Sequence, residues 1–205
     1  MADAISELNS FHLDVLREIG NIGAGNAATA LAKLLDKRIV MKVPQIRIMK
    51  FSEVSEVLGG AETPVVGILL RIHGDIGGSM MFILDNPSSR LLVNILMGKP
   101  LETDLSFDEM TCSVLTEIGN ILAGSYLSAL SDMTGLKIVP DVPALAMDMA
   151  GAILSVPAIE FGKNSDTVLY IENVFMDGKD SVIGDLFLIP DDLSYGKLLK
   201  TLGVV

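Results

Sequence analysis

Two short stretches of the chain set a carboxylate and a carboxamide three residues apart in matching surroundings. Glu18 and Asn21 lie in Val15-Leu-Arg-Glu-Ile-Gly-Asn-Ile, and Glu117 and Asn120 in Val114-Leu-Thr-Glu-Ile-Gly-Asn-Ile. No nucleophilic triad can be built on this pair, because no His stands beside it and no Ser or Cys is paired with a base. His12 and His73 are isolated and read as structural or solvated, and Cys112 reads as a small packing residue. One carboxylate and one amide per stretch are too few ligands for a metal site of the chain's own. An amide, however, both accepts and donates hydrogen bonds, so it can hold a water in line for attack. The neighbouring carboxylate can grip a Lys or Arg of a partner. The chemistry that fits is phosphoryl transfer to water by positioning, with the electrophile and any metal supplied by the partner.

Both pairs sit in long helical patterns, predicted over residues 10–35 and 106–134. At about 100° per residue, Asp14, Glu18, Asn21 and Gly25 share a stripe roughly 60° wide. Ser113, Glu117, Asn120 and Gly124 repeat it. Val15, Leu16, Ile19, Ile22, Ala30 and Leu34 fall on the other side of the first helix, which predicts a packed apolar face and an outward stripe. A polar residue on an outer helix face is ordinarily just solvated. Here the stripe persists in both copies while its neighbours drift: Gly23 becomes Leu122, Asn26 becomes Ser125 and Ala27 becomes Tyr126. The glycines at 20, 25, 119 and 124 each cost roughly 1 kcal/mol against Ala in a helix interior. Their retention points to close approach of a partner to the backbone, or to a helix–helix contact within the fold. Gly23-Ala-Gly25-Asn-Ala-Ala28 matches a loose dinucleotide fingerprint, but it follows no strand and reads as accidental.

The helices belong to an internal duplication. Between Asp14–Pro44 and Ser113–Pro143, at a constant offset of 99, 15 of 31 positions are identical, which marks a repeated structural unit. Gly78–Leu96 resembles Gly184–Leu202 at an offset of 106, so the second unit carries about seven extra residues before Gly184. Each unit reads as a long helix, a β-branched run (38–43 and 137–142), a short irregular or helical stretch, two strands and a closing helix. The strands are Val65–Ile72 with Gly78–Leu84, and Thr167–Phe175 with Val182–Ile189, joined by turns at Gly74–Gly78 and Asp177–Asp180. Closing helices start after Asn86-Pro87 and Pro190-Asp191-Asp192. One unit cannot bury both faces of its sheet. The predicted fold is therefore α+β: a single, internally duplicated pseudo-two-fold domain over 1–205, with an antiparallel sheet built from two α-β-(α)-β-β-α units, about 10–98 and about 106–203, and two long motif-bearing helices.

Composition narrows the function. There are 15 basic and 26 acidic residues, a net charge of −11. So acidic a chain is a poor binder of nucleic-acid phosphates or anionic membranes. A single cysteine excludes an intrachain disulfide. No signal peptide and no membrane span are read, and a cytoplasmic setting is expected.

The duplicated Asp/Ser-x3-Glu-x2-Asn-x3-Gly pattern resembles the signature of the CheC/CheX/FliY family of chemotaxis phosphatases, which hydrolyse the aspartyl phosphate of the response regulator CheY. Two complete motifs, about 200 residues and no attached flagellar-switch domain place it with the two-motif members. The resemblance implies an enzyme in which Glu18 and Glu117 salt-bridge the regulator's Lys and Asn21 and Asn120 orient the attacking water. Asp14, Gly25, Ser113 and Gly124 would support the stripe or the docked partner. It implies no cofactor of the chain's own, with Mg²⁺ in the regulator's acidic pocket, and a monomer, since the duplication already supplies a pair. It also implies a second partner, the receptor deamidase CheD, whose binding raises activity. After the shared Val-Pro, residues 144–155 read ALAMDMAGAILS, small, apolar and helix-compatible around Asp148. This stretch is either a buried connector or a surface helix on which CheD docks, with Asp148 as its polar anchor. The alternative function is a non-catalytic module that sequesters or regulates CheD in response to CheY phosphate.

Overall fold

In a computed structural model, residues 10–36, 38–100, 107–161, 167–177 and 180–203 are described. The first unit runs α1 (Ser10–Leu35), β1 (Val40–Lys42), β2 (Ile46–Lys50), a 3₁₀ turn (Phe51–Glu53), α2 (Val54–Val57), β3 (Pro64–Gly74), β4 (Gly78–Asp85) and α3 (Asn86–Met97). The second repeats the plan: α4 (Glu109–Thr134), β5 (Ile138–Pro140), β6 (Ala144–Met149), α5 (Ala150–Phe161), β7 (Thr167–Asp177), β8 (Asp180–Pro190) and α6 (Asp192–Thr201).

The strands form one antiparallel sheet in the order β1-β7-β8-β4-β3-β5, with β2 continuing the β1 edge on β7 and β6 continuing the β5 edge on β3. The two units meet at the centre, where β4 pairs with β8. Met81 lies opposite Phe187 in that ladder. These residues are separated by the repeat offset of the second halves, so the pseudo-two-fold axis passes through this pair. The outer strands are exchanged: β1 and β2 pair with β7 of the other unit, and β5 and β6 pair with β3 of the first. Neither half can complete its sheet without the other.

Alternation along the strands produces two apolar faces. One face, with Val66, Ile68, Leu70, Phe82, Leu186 and Leu188, packs under α1, α4, α3 and α6 in the larger core cluster. The other, with Val65, Met81, Ile83, Val168, Tyr170 and Phe187, is partly covered by α2 and α5. The helix ends follow local chemistry. Asp85 and Asp191 cap α3 and α6, accepting from the Ser88 N–H at 2.6 Å and the Ser194 N–H at 2.9 Å. Asp108 caps α4 by accepting from the Thr111 N–H at 2.9 Å. That cap is why the helix begins at Glu109 rather than at the predicted 106; residues 101–106 of the join lie outside the described residues, as do Gly178 and Lys179 of the second predicted turn.

Two expectations fail in the connecting segments. Among the described residues each unit holds four strands, not three: β2 takes five residues of the stretch read as irregular or helical, whose remainder does contain the 3₁₀ turn and α2, and β6 occupies 144–149, read as helix-compatible. Ala and Met favour helix by local propensity, but the open edge of β3 recruits this run from another unit. Asp148 therefore stands on an exposed edge strand opposite Val65, not on a helix, and α5 starts only at Ala150. Leu34, placed with the packed face of α1, is 59% exposed.

Candidate functional site

The α1 and α4 helices pack against each other on the larger core, and each turns its Glu–Asn stripe away from the sheet. Leu16, Ile19, Ala27 and Leu31 of α1 and Leu115, Ile118, Leu122 and Ala123 of α4 are buried, while Glu18, Asn21, Glu117 and Asn120 are all exposed. None of these four side chains has a hydrogen-bond or ion-pair partner among the described residues. Asp14 accepts a 3.2 Å hydrogen bond from the Arg17 guanidinium. At the matching positions of α4, Ser113 is exposed and the Thr116 hydroxyl donates to the Cys112 carbonyl at 2.8 Å. Asn120 and Gly124 line a shallow groove between the helices with Asn26 and Ala30. Glu117 borders an apolar cleft lined by Leu31, Leu34, Leu96, Met97 and Val114.

The four glycines separate into two classes. A Cβ on Gly25 or Gly124 would meet nothing within 4 Å, so the backbone there is bare on the outer surface. Gly20 and Gly119 are buried instead. A Cβ on Gly119 would lie 2.6 Å from Ile68 Cγ2, and one on Gly20 would lie 3.3 Å from Ile46 Cδ1. Packing against the sheet accounts for these two, and they are not surfaces for a partner.

Sequence reasoning missed the brace that holds the two stripes together. Gly23 faces Tyr126, and a Cβ there would come within 2.7 Å of Tyr126 Cε1. Tyr126 is buried, its hydroxyl donates to Asn173 Oδ1, and the Asn173 amide in turn donates to the Ile171 carbonyl at 3.1 Å. Burial holds the phenol well above its usual pKa. At the pseudo-equivalent positions stand Leu122 and Ala27, both buried. The signal was present in the repeat: Gly23 to Leu122 and Ala27 to Tyr126 are complementary size changes across one helix–helix contact, as close packing requires.

Other polar groups lie apart from the stripe. His73 is not isolated but pairs with Asp141 at 3.2 Å on the surface; the His12 side chain lies outside the described residues. Cys112 is half-buried, with its thiol toward the Phe107 carbonyl. On the opposite sheet face the Tyr170 hydroxyl donates to Asp185 at 2.8 Å, and the Arg47 guanidinium lies 5.2 Å from the Tyr170 ring centroid. Burial pushes Asp185 up to about 6; the Tyr170 hydrogen bond opposes this, and Glu172 and Asp85 add to it. Asp148 accepts from the Met149 N–H at 2.8 Å and edges an apolar hollow with Gly67, Met81, Met147 and Ile153. Among the described residues, no group of three or more His, Cys, Asp or Glu could hold a metal ion, and no helix is long and apolar enough to cross a membrane.

Comparison with known proteins decides the family. The CheC-like family model matches residues 11–48 and 110–147, one match per repeat. Over 196 residues the chain is 40% identical to the CheY-P phosphatase CheC of Bacillus subtilis, covering 93% of each. The chain belongs to the CheC-like family. Another CheC-like relative is the flagellar motor switch phosphatase FliY of B. subtilis, 25% identical over 65% of this chain and 35% of that protein. The FliY structure from Thermotoga maritima superposes with a TM-score of 0.75 at 22% identity, covering 96% of this chain and 98% of that one. The FliM middle domain from H. pylori reaches 0.69 at 11% identity, covering 95% and 99%. The last two establish that the CheC-like fold is shared; they do not establish chemistry.

Proposed function

We propose that this chain is a phosphatase of phosphorylated CheY, with one reaction centre on each long helix. The observation that carries the reading is the pair of exposed, internally unpartnered Glu–Asn sets in a relative 40% identical to a CheY-P phosphatase. In the reaction, Glu18 or Glu117 accepts a charge-assisted hydrogen bond from a lysine of the docked receiver and fixes its orientation. Asn21 or Asn120 enters beside the phosphoaspartate, accepts from one water proton through its carbonyl oxygen and donates through its amide toward the phosphoryl oxygens. Water attacks phosphorus in line, the bond between phosphorus and the aspartyl carboxylate oxygen breaks with its electron pair leaving on that oxygen, and the products are inorganic phosphate, which keeps the water's protons, and the free aspartate carboxylate. Mg²⁺ belongs to the receiver and offsets the developing charge there. The bare backbone at Gly25 and Gly124 lets the receiver come close. An acyl phosphate is already reactive, so a few factors of ten, each about 1.4 kcal/mol, are enough, and positioning can supply them.

A second partner fits the far edge of the sheet. The receptor deamidase CheD would dock along β6 and α5, where Met147, Met149, Val156 and Ile159 are exposed around Asp148. β6 also touches α4, the helix that carries the second stripe, and binding there would raise turnover. The setting is cytoplasmic, and one chain suffices for both centres.

The test is phosphate release from a phosphorylated CheY-type receiver in Mg²⁺, with and without CheD. Glu18→Lys/Glu117→Lys should abolish acceleration in both conditions. Asp148→Lys should remove only the response to CheD. A protein that never accelerates release but still binds CheD would shift the reading to a regulator of CheD.

A further inference from the structure

The Glu–Asn stripe has an apolar end. Phe11 and Met110 occupy the same position in the two repeats, 99 residues apart, and each is 61% exposed. Each stands three residues before Asp14 or Ser113 and seven before the stripe's glutamate. Seven residues are two helical turns, about 10 Å, and bring Phe11 within about 20° of the Glu18 meridian. The side chains therefore lie in line with the carboxylates, on the outer faces of α1 and α4.

A single exposed apolar residue needs no explanation. Two at one repeat position do, because the residues around them drift: Ser10 stands against Glu109, His12 against Thr111 and Asp14 against Ser113. Only bulk and apolarity are retained, although neither is buried in the core.

We infer that Phe11 and Met110 are the apolar anchors by which each centre docks the phosphorylated receiver, packing on an aliphatic patch beside its phosphorylated aspartate. This rests on the phosphatase reading and adds the residues that set substrate affinity. Charge points the same way. The chain carries a net charge of −11, which offers no general attraction to a phosphoryl group. One lysine–glutamate contact per centre gives orientation, and apolar area must supply most of the affinity.

The experiment titrates a phosphorylated CheY-type receiver against wild type, Phe11→Ala/Met110→Ala and Phe11→Leu/Met110→Leu, reading Kd and phosphate release on the same samples, with thermal unfolding as control. The alanine pair should raise Kd and KM roughly ten-fold with kcat and the unfolding midpoint unchanged, and the leucine pair should restore both. An unchanged Kd, or a fall in kcat alone, overturns the anchors. Wild type that binds the phosphorylated receiver without hydrolysing it would sink the phosphatase reading, while the Kd ratio still judges the anchors. Wild type that neither binds nor hydrolyses overturns both.

Discussion

Replacing Gly25 and Gly124 by alanine should make the protein more stable and a worse enzyme. Both lie inside 26-residue helices, and a Cβ on either would touch nothing within 4 Å. Each substitution recovers the helix propensity that glycine forfeits, about 1 kcal/mol. For a domain of this size, ~2 kcal/mol corresponds to a rise of about 4–8 °C in the unfolding midpoint. Function moves the other way, because two methyl groups now stand where the receiver's surface must meet the helix. The free protein gains and the complex loses, so KM should rise at least several-fold. Gly119→Ala is the internal control: its Cβ would lie 2.6 Å from Ile68 Cγ2, so it should lower stability. Thermal unfolding and phosphate release on the same samples decide the matter. A stabilised Gly25→Ala/Gly124→Ala protein with wild-type KM would refute close approach at these positions. A destabilised one would refute their placement on the open surface.

Tyr126→Phe should cost about 1–3 kcal/mol, because Asn173 Oδ1 stays buried and loses its donor; urea unfolding checks this. Asp36→Gly should stabilise by about 1 kcal/mol, since Asp36 holds φ 50° at the end of α1 where the repeat mate Gly135 holds 69°. Asp185 has its folded pKa raised from 3.8 to about 6, so its contribution to stability is full below pH 3.8 and is lost as pH rises through 6. Asp185→Asn should therefore gain stability at pH 8 relative to wild type, by at most ~3 kcal/mol, and lose that advantage at pH 4.

The long helices, the two hairpins and the closing helices were legible because each carries its signal within one unit: a 3.6-residue period, alternation around a glycine turn, or a capping aspartate. The duplication exposed the stripe itself, since only comparison of the copies separates Glu18 and Asn21 from ordinary solvated residues. The strands β2 and β6 were not legible. Their partners, β7 and β3, lie in the other unit, and no local pattern in Ala144–Met149 reports an edge more than 70 residues away. That is why neither reading of the run around Asp148, buried connector or surface helix, anticipates an exposed edge strand. The glycines were only half legible, because sequence marks a missing side chain but not whether Ile68 or solvent takes its place. Tyr126 was noted as drift, although its size is compensated by Gly23 across the helix contact.

The most direct test of the account is the single-turnover rate of phosphate loss from a phosphorylated CheY-type receiver at saturating protein, for wild type, Asn21→Ala, Asn120→Ala and the double variant. The account predicts that each single variant keeps part of the acceleration, and that the double variant falls to the receiver's own rate while still binding it. A double variant that turns over at the wild-type rate would contradict the assignment of water positioning to these two amides.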